Sequence, residues 1–146
     1  MIIYLDNSFL NRPFDDPEVG INKIEGEILP LVIKLADKGK VNLINSSIIE
    51  YENSLNPSPE RKIFVAEVLK QTKVYQNIDE NIRKQAEKLV KTTNISPIDA
   101  LHLSSAEAAN ADVFITCDYG IIKKYQGKVK VITPLEFENL YKHANK

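Results

Sequence analysis

Apolar positions along the chain switch between two periods. Residues 1–5 (MIIYL) form a short apolar run with Ile and Tyr, which predicts a buried β-strand. Asn7 through Gly20 carries Pro13, Pro17 and Gly20 and reads largely as loop. Ile21, Ile24, Ile28, Leu31 and Leu35 then follow helical spacing, with a kink expected at Pro30 and a stop at Gly39. VNLI at 41–44 predicts a second strand. Ser46-Ser47 opens a helix that must end before Asn56-Pro57, and Ser58-Pro59 opens the next, with proline at its first position. KVY at 73–75 suits a short strand, and Asp79 caps a helix bearing Ile82, Ala86, Leu89 and Val90. Ser96-Pro97 starts an Ala-rich helix through about Ala109. DVFIT at 112–116 and VKVI at 129–132 predict two more strands, and Thr133-Pro134-Leu135-Glu136 has the capping-box spacing that begins a terminal helix.

Strand and helix therefore alternate, with no internal repeat, low-complexity tract or linker. That order implies an α/β fold: a central parallel sheet flanked by helices, in one domain over residues 1–146. Ligands in open parallel sheets bind beyond the carboxyl ends of the strands. The residues just after each strand are thus the first candidates for chemistry.

Composition narrows the function classes. Of 146 residues, 43% are hydrophobic and 27% charged, which is ordinary globular composition. No apolar run approaches the roughly 18–20 residues of a membrane span, and the N-terminus lacks a signal-peptide pattern. The single cysteine, Cys117, excludes an intramolecular disulfide or a Cys-based zinc cluster and suits a reducing cytoplasm. Nineteen basic against 20 acidic residues give a net charge of −1, so any nucleic-acid binding needs a local basic patch.

Acids mark the strand ends. Asp6 follows the first strand and Asp118 lies two residues beyond FIT. Asp99 is the third residue of its helix, and Glu50 and Glu52 lie in SSIIEYE. Carboxylates gathered without His or Cys suit a hard cation such as Mg²⁺ or Mn²⁺, which relieves their repulsion. Each acid also has a structural alternative. Asp6 and Asp118-Tyr119-Gly120 suit turns, and Asp99 stands at capping-box distance from Ser96.

Taken together and in order, YLDNS, SSIIEYE, IDALHLSSAEAANAD and FITCD resemble the PIN domain, the fold of toxin ribonucleases in bacterial toxin–antitoxin pairs. The resemblance spans almost the whole chain and implies a three-layer PIN-like sandwich. It also implies a Mg²⁺- or Mn²⁺-dependent endoribonuclease in which metal-activated water attacks an RNA phosphodiester. On matching positions it implies Asp6, Glu52, Asp99 and Asp118 as catalytic, metal-binding acids, with Ser8 and Thr116 as supporting polar residues. A further acid found in many relatives just after the Asp118 position is replaced here by Tyr119 and Gly120. A degenerate, noncatalytic PIN domain that binds RNA or protein is therefore the alternative. An antitoxin partner and a homodimer are consistent with the family.

Among basic residues near the strand ends, Arg12, Lys123 and Lys124 are the candidate RNA contacts, and Arg61, Lys62, Lys128 and Lys130 are weaker ones. Tyr119 suits either base stacking or a core anchor. Cys117 reads as a small residue at a strand end rather than a nucleophile. His102, three residues after Asp99, reads as packed or solvent-facing rather than as a ligand. Of the two glutamates, spacing assigns Glu50 to a capping box with Ser47. Glu52, turned about 200° away, goes to the site. A phosphoacceptor receiver domain, the rival on a similar scaffold, fails on placement. It needs an acidic pair after the first strand and a lysine after the last, whereas Asn7 follows Asp6 and the lysines of KVKVI lie within the strand.

Overall fold

The structure, a computed structural model, describes residues 1–144, with side chains through Lys142. Five strands carry the architecture: β1 (Ile2–Leu5), β2 (Asn42–Ser46), β3 (Val74–Gln76), β4 (Val113–Ile115) and β5 (Lys130–Ile132). The helices are α1 (Asn7–Leu10), α2 (Asn22–Asp37), α3 (Ser47–Ser54), α4 (Pro59–Leu69), α5 (Glu80–Thr93), α6 (Pro97–Ala108), α7 (Tyr119–Lys124) and α8 (Pro134–Ala144).

All strand pairs are parallel, in the order β3-β2-β1-β4-β5. The chain adds strands outward from β1 on one side and then returns to place β4 on the other. The switch point of the sheet therefore lies between β1 and β4, the position where open α/β sheets bind ligands. Leu5 pairs with Ile115, so the ends of β1 and β4 lie level. The convergence of Asp6 and Asp118 that the sequence allowed is thus met by neighbouring strands in register.

The two central strands, β1 (IIYL) and β4 (VFI), are apolar throughout, as strands covered by helices on both faces must be. Ile3, Tyr4, Phe114 and Ile115 are fully buried, and the Tyr4 and Phe114 rings stack at 5.1 Å. Helix ends follow the sequence closely. Ser58, Asp79 and Ser96 each accept a backbone N–H from the third residue on. Thr133 and Glu136 form a reciprocal capping box, at 3.1 and 3.2 Å. Gly39, at φ +72°, takes the left-handed conformation that stops α2. No helix among the described residues is long and apolar enough to cross a membrane.

Three local readings change. The segment after β1 is not wholly loop: it forms α1 and a 3₁₀ turn at Arg12–Phe14. That turn lies so close to α2 that a Cβ on Gly26 would meet Pro13 Cα at 3.1 Å and the Arg12 carbonyl at 3.2 Å. A six-residue helix, α7, follows Asp118 where no element was expected, while α2 continues through Pro30 toward Gly39 as its spacing predicts. The cap of α3 is Ser46, not Ser47. Ser46 Oγ accepts the Ile49 N–H, while Ser47 Oγ accepts the N–H of Ile78.

Candidate active site

Asp6 is the anchor. It is 4% exposed, directly after β1, and caps α1. Its Oδ1 accepts the Asn7 N–H at 2.9 Å. Its Oδ2 accepts from Ser8 Oγ at 2.8 Å and Thr116 Oγ1 at 2.7 Å. Both hydroxyls work in two directions: Ser8 also accepts the Cys117 N–H, at 3.1 Å, and Thr116 accepts the Asp118 N–H, at 3.0 Å. These two side chains lace the end of β1 to the end of β4. A buried carboxylate costs several kcal/mol unless its lone pairs are met, and here three donors meet them.

Asp118 caps α7, a six-residue helix that the sequence reading missed. Its Oδ1 accepts from Gly120 N at 2.8 Å and Ile121 N at 3.4 Å. The turn chemistry read from Asp-Tyr-Gly is therefore present, alongside the placement at the strand end. Asp99 stands half-buried in the first turn of α6, its N–H held by Ser96 Oγ at 3.3 Å. Burial pushes its carboxyl pKa up, and the negative charges of Asp6 and Asp118 push it further, against lowering by Ser96 and His102. Asp99 thus lies within electrostatic reach of both Asp6 and Asp118. None of the three forms an ion pair with a lysine or arginine among the described residues.

Glu52 reaches the same edge from α3. Its Oε1 is hydrogen-bonded to His102 Nε2, and its Oε2 lies 3.5 Å from Asn7 Nδ2. Glu50 points elsewhere: it accepts from Tyr75 OH at 2.9 Å and Asn45 Nδ2 at 3.3 Å. The capping box assigned to Glu50 with Ser47 does not form, yet Glu50 is held at β2 and β3, away from Asp6.

The donor chemistry, four carboxylates without a thiolate, fits a hard cation. As placed, however, no three His, Cys, Asp or Glu side chains among the described residues sit together closely enough to hold a metal. In this arrangement Asp6 Oδ2, Glu52 Oε1 and Asp118 Oδ1 accept hydrogen bonds from protein donors. Glu52 Oε2 has only the 3.5 Å contact to Asn7 Nδ2, and Asp99 is hydrogen-bonded by the Ser96 side chain.

The remaining candidates divide sharply. Arg12 is engaged, with its guanidinium 3.0 Å from Asp15 and 3.2 Å from the fully buried Glu25. Arg61 shares Asp15 at 2.9 Å. Lys123 is exposed, and Lys124 is exposed with Nζ 3.4 Å from the Asn94 carbonyl. Tyr119 is 47% exposed beside Asp118, with its hydroxyl 3.5 Å from Glu25. The Cys117 thiol is buried and pushed up to about 12 by burial, so it is not a thiolate at neutral pH. A cleft of about 430 Å³ opens beside Glu52, lined by Asn7, Ser8, Asn11, Arg12, Asn56 and Arg61 among others. His102, read from the sequence as packed or solvent-facing, is packed, but its contacts to Tyr4 and Glu52 were not foreseen. It is fully buried, with both ring nitrogens bonded, and only its spacing of three from Asp99 hinted at those contacts.

A family model described as "PIN domain" matches residues 3–127. No curated protein matches the chain. Among solved structures, a chain of the VapBC2 complex from Rickettsia felis, crystallised with a DNA fragment from their promoter, is similar in fold. The TM-score is 0.59 at 16% identity, covering 91% of this chain and 98% of that one.

Proposed function

The chain belongs to the PIN-domain family, and from that premise we propose that it is a Mg²⁺- or Mn²⁺-dependent endoribonuclease whose acids are Asp6, Glu52, Asp99 and Asp118. The observation that supports this reading best is the placement of Asp6 and Asp118 just past the level, neighbouring ends of β1 and β4, where the strand order reverses. Acids crowded at a ligand-binding edge with no basic partner have more often a chemical than a structural reason to be there.

The residues divide the work. Ser8 and Thr116 fix Asp6 and hold the β1 and β4 ends together. We assign Asp118, Glu52 and Asp99 to the same site as the remaining acids. A divalent cation held by these carboxylates would supply stabilisation of charge on a phosphate and an acidified water. No protein nucleophile is required, in keeping with the protonated thiol of Cys117. Lys123 and Lys124, exposed at the end of α7, are positioned to meet a polyanion leaving the site. Arg12 is not needed for that purpose, because Glu25 and Asp15 already engage it.

We read the 146 residues as one such domain acting in the cytoplasm. An antitoxin partner is suggested by the similarity to a chain of the VapBC2 complex, and a homodimer by the family. The test is cleavage of a mixed RNA pool with Mg²⁺ or Mn²⁺, with EDTA, and with Asp6→Asn. Metal-restored cleavage that Asp6→Asn lacks supports the reading. Cleavage that persists in EDTA overturns it, and RNA binding without cleavage assigns a noncatalytic PIN domain.

A further inference from the structure

Two hydrogen-bond chains converge on the carboxylate of Glu52. The first starts at Ser46, whose Oγ accepts the Ile49 N–H and lies 2.7 Å from Tyr4 OH. Tyr4 OH is 2.6 Å from His102 Nδ1, and His102 Nε2 meets Glu52 Oε1. Ser46, Tyr4 and His102 are all fully buried. The second chain is built of amides. Asn56 Nδ2 donates to Asn11 Oδ1 at 3.0 Å, Asn11 Nδ2 donates to Asn7 Oδ1 at 3.0 Å, and Asn7 Nδ2 faces Glu52 Oε2 at 3.5 Å.

Proton counting gives the first chain a direction. A carboxylate only accepts, so Nε2 must carry the hydrogen that faces Glu52. In the neutral ring Nδ1 is then an acceptor, Tyr4 donates to it, and Ser46 donates to Tyr4 in turn. In the charged ring Nδ1 donates and the two hydroxyls reverse. Nε2–H points at Glu52 in both states, so the contact does not depend on the charge of the ring.

The contrast between the two contacts is informative. One oxygen of Glu52 is fastened to a rigid, buried ring, whereas the other has only a long amide contact and borders the cleft. A glutamate on an eight-residue helix has three freely rotating side-chain bonds, and a ligand oxygen needs a fixed direction. We propose that His102 is a positioning residue that aims Glu52 Oε2 toward the cation, with Tyr4 and Ser46 holding its ring. This rests on the metal-dependent reading above.

The test uses the full chain without RNA and has two arms. Long-range ¹H–¹⁵N spectra report whether His102 Nε2 carries its hydrogen and whether that signal shifts in Glu52→Gln. The free-Mn²⁺ EPR signal gives Mn²⁺ affinity for wild type, His102→Phe, His102→Gln, Tyr4→Phe, Glu52→Gln and the His102→Phe/Glu52→Gln pair. We expect the Nε2–H signal in wild type and a shift in Glu52→Gln. We expect Mn²⁺ binding about 10-fold weaker in His102→Phe. His102→Gln, which keeps an N–H near the same place, restores most of it, and Tyr4→Phe loses part. The His102→Phe effect falls below about twofold once Glu52 is Gln, because a residue acting through Glu52 has nothing left to position. An unprotonated Nε2 overturns the proposal. So does wild-type affinity in both His102→Gln and Tyr4→Phe together with either wild-type affinity or loss of folding in His102→Phe. An undiminished His102→Phe effect in the Glu52→Gln background does the same by marking a general structural role. Wild type that binds no Mn²⁺ while keeping the Nε2–H signal overturns the metal-dependent reading and the positioning role with it. The surviving signal tells that failure from the others.

Discussion

Arg12 offers the sharpest separation of a structural from a functional cation. The sequence placed it among candidate RNA contacts, but in the fold its Nε lies 3.2 Å from Glu25, whose side chain is 0% exposed. Replacing Arg12 by Met removes the charge and keeps much of the aliphatic bulk. Asp15 still has Arg61 at 2.9 Å, so the loss falls on Glu25. Breaking a buried pair by removing one partner costs roughly 3–5 kcal/mol. Arg12 itself is 18% exposed, so water can reach part of the gap, and the lower end, about 3 kcal/mol, is the expectation. At about 2–4 °C per kcal/mol for chains of roughly this size, the melting temperature should fall by about 6–12 °C. Urea unfolding of Arg12→Met, Glu25→Met and the pair would measure it. The double variant should recover most of the loss, because no unpaired charge remains. A single variant within about 1 kcal/mol of wild type would refute the structural role and return Arg12 to the RNA-binding candidates.

Other expectations follow from the same contacts. Glu52→Gln should abolish RNA cleavage with little change in melting temperature, whereas Glu50→Gln should stay active, since Glu50 is bonded to Tyr75 and Asn45; the reverse pattern of rates would exchange their roles. Cys117→Ser should cleave RNA normally, and iodoacetamide at pH 8 should leave wild type active, because the thiol is buried and pushed up to about 12. Rapid inactivation by alkylation would contradict that burial. Asp99 bears on acid stability. Its folded pKa lies above the unfolded value, so the native state takes up the proton first as pH falls, and stability rises through that window. In EDTA at pH 7, Asp99→Asn should therefore melt above wild type, with the gain vanishing below the ordinary carboxylate range. A variant less stable than wild type at pH 7 would mean that Asp99 serves chiefly as structure.

Long periodic elements and their caps were legible in the sequence because the signals are local. Ser58-Pro59, Asp79, Ser96-Pro97 and the Thr133–Glu136 box all cap the helices expected of them. The four-residue α1 and the six-residue α7 were not legible. Elements of that length complete too few turns to show a period, and both begin on an aspartate that reads equally as a turn. At α3, two adjacent serines made the cap ambiguous by one residue, and β2 ran on through Ser46 to decide it. The separation of Glu50 from Glu52 survived that slip because their helical angle does not depend on the cap. The least legible feature was the bonding of His102. Its partners Tyr4 and Glu52 lie 98 and 50 residues away, and only the order of the sheet brings them together. The same holds for Arg12 and Glu25, whose pairing depends on the unforeseen 3₁₀ turn lying against α2.

The central claim is that a hard cation sits among the acids at the β1–β4 edge. Anomalous diffraction from crystals soaked in millimolar Mn²⁺ tests it most directly. The account predicts a peak bounded by the carboxylates of Asp6, Asp99 and Asp118, with Glu52 joining directly or through one water. Well-ordered acids with no peak between them, or a peak only elsewhere on the molecule, would contradict it.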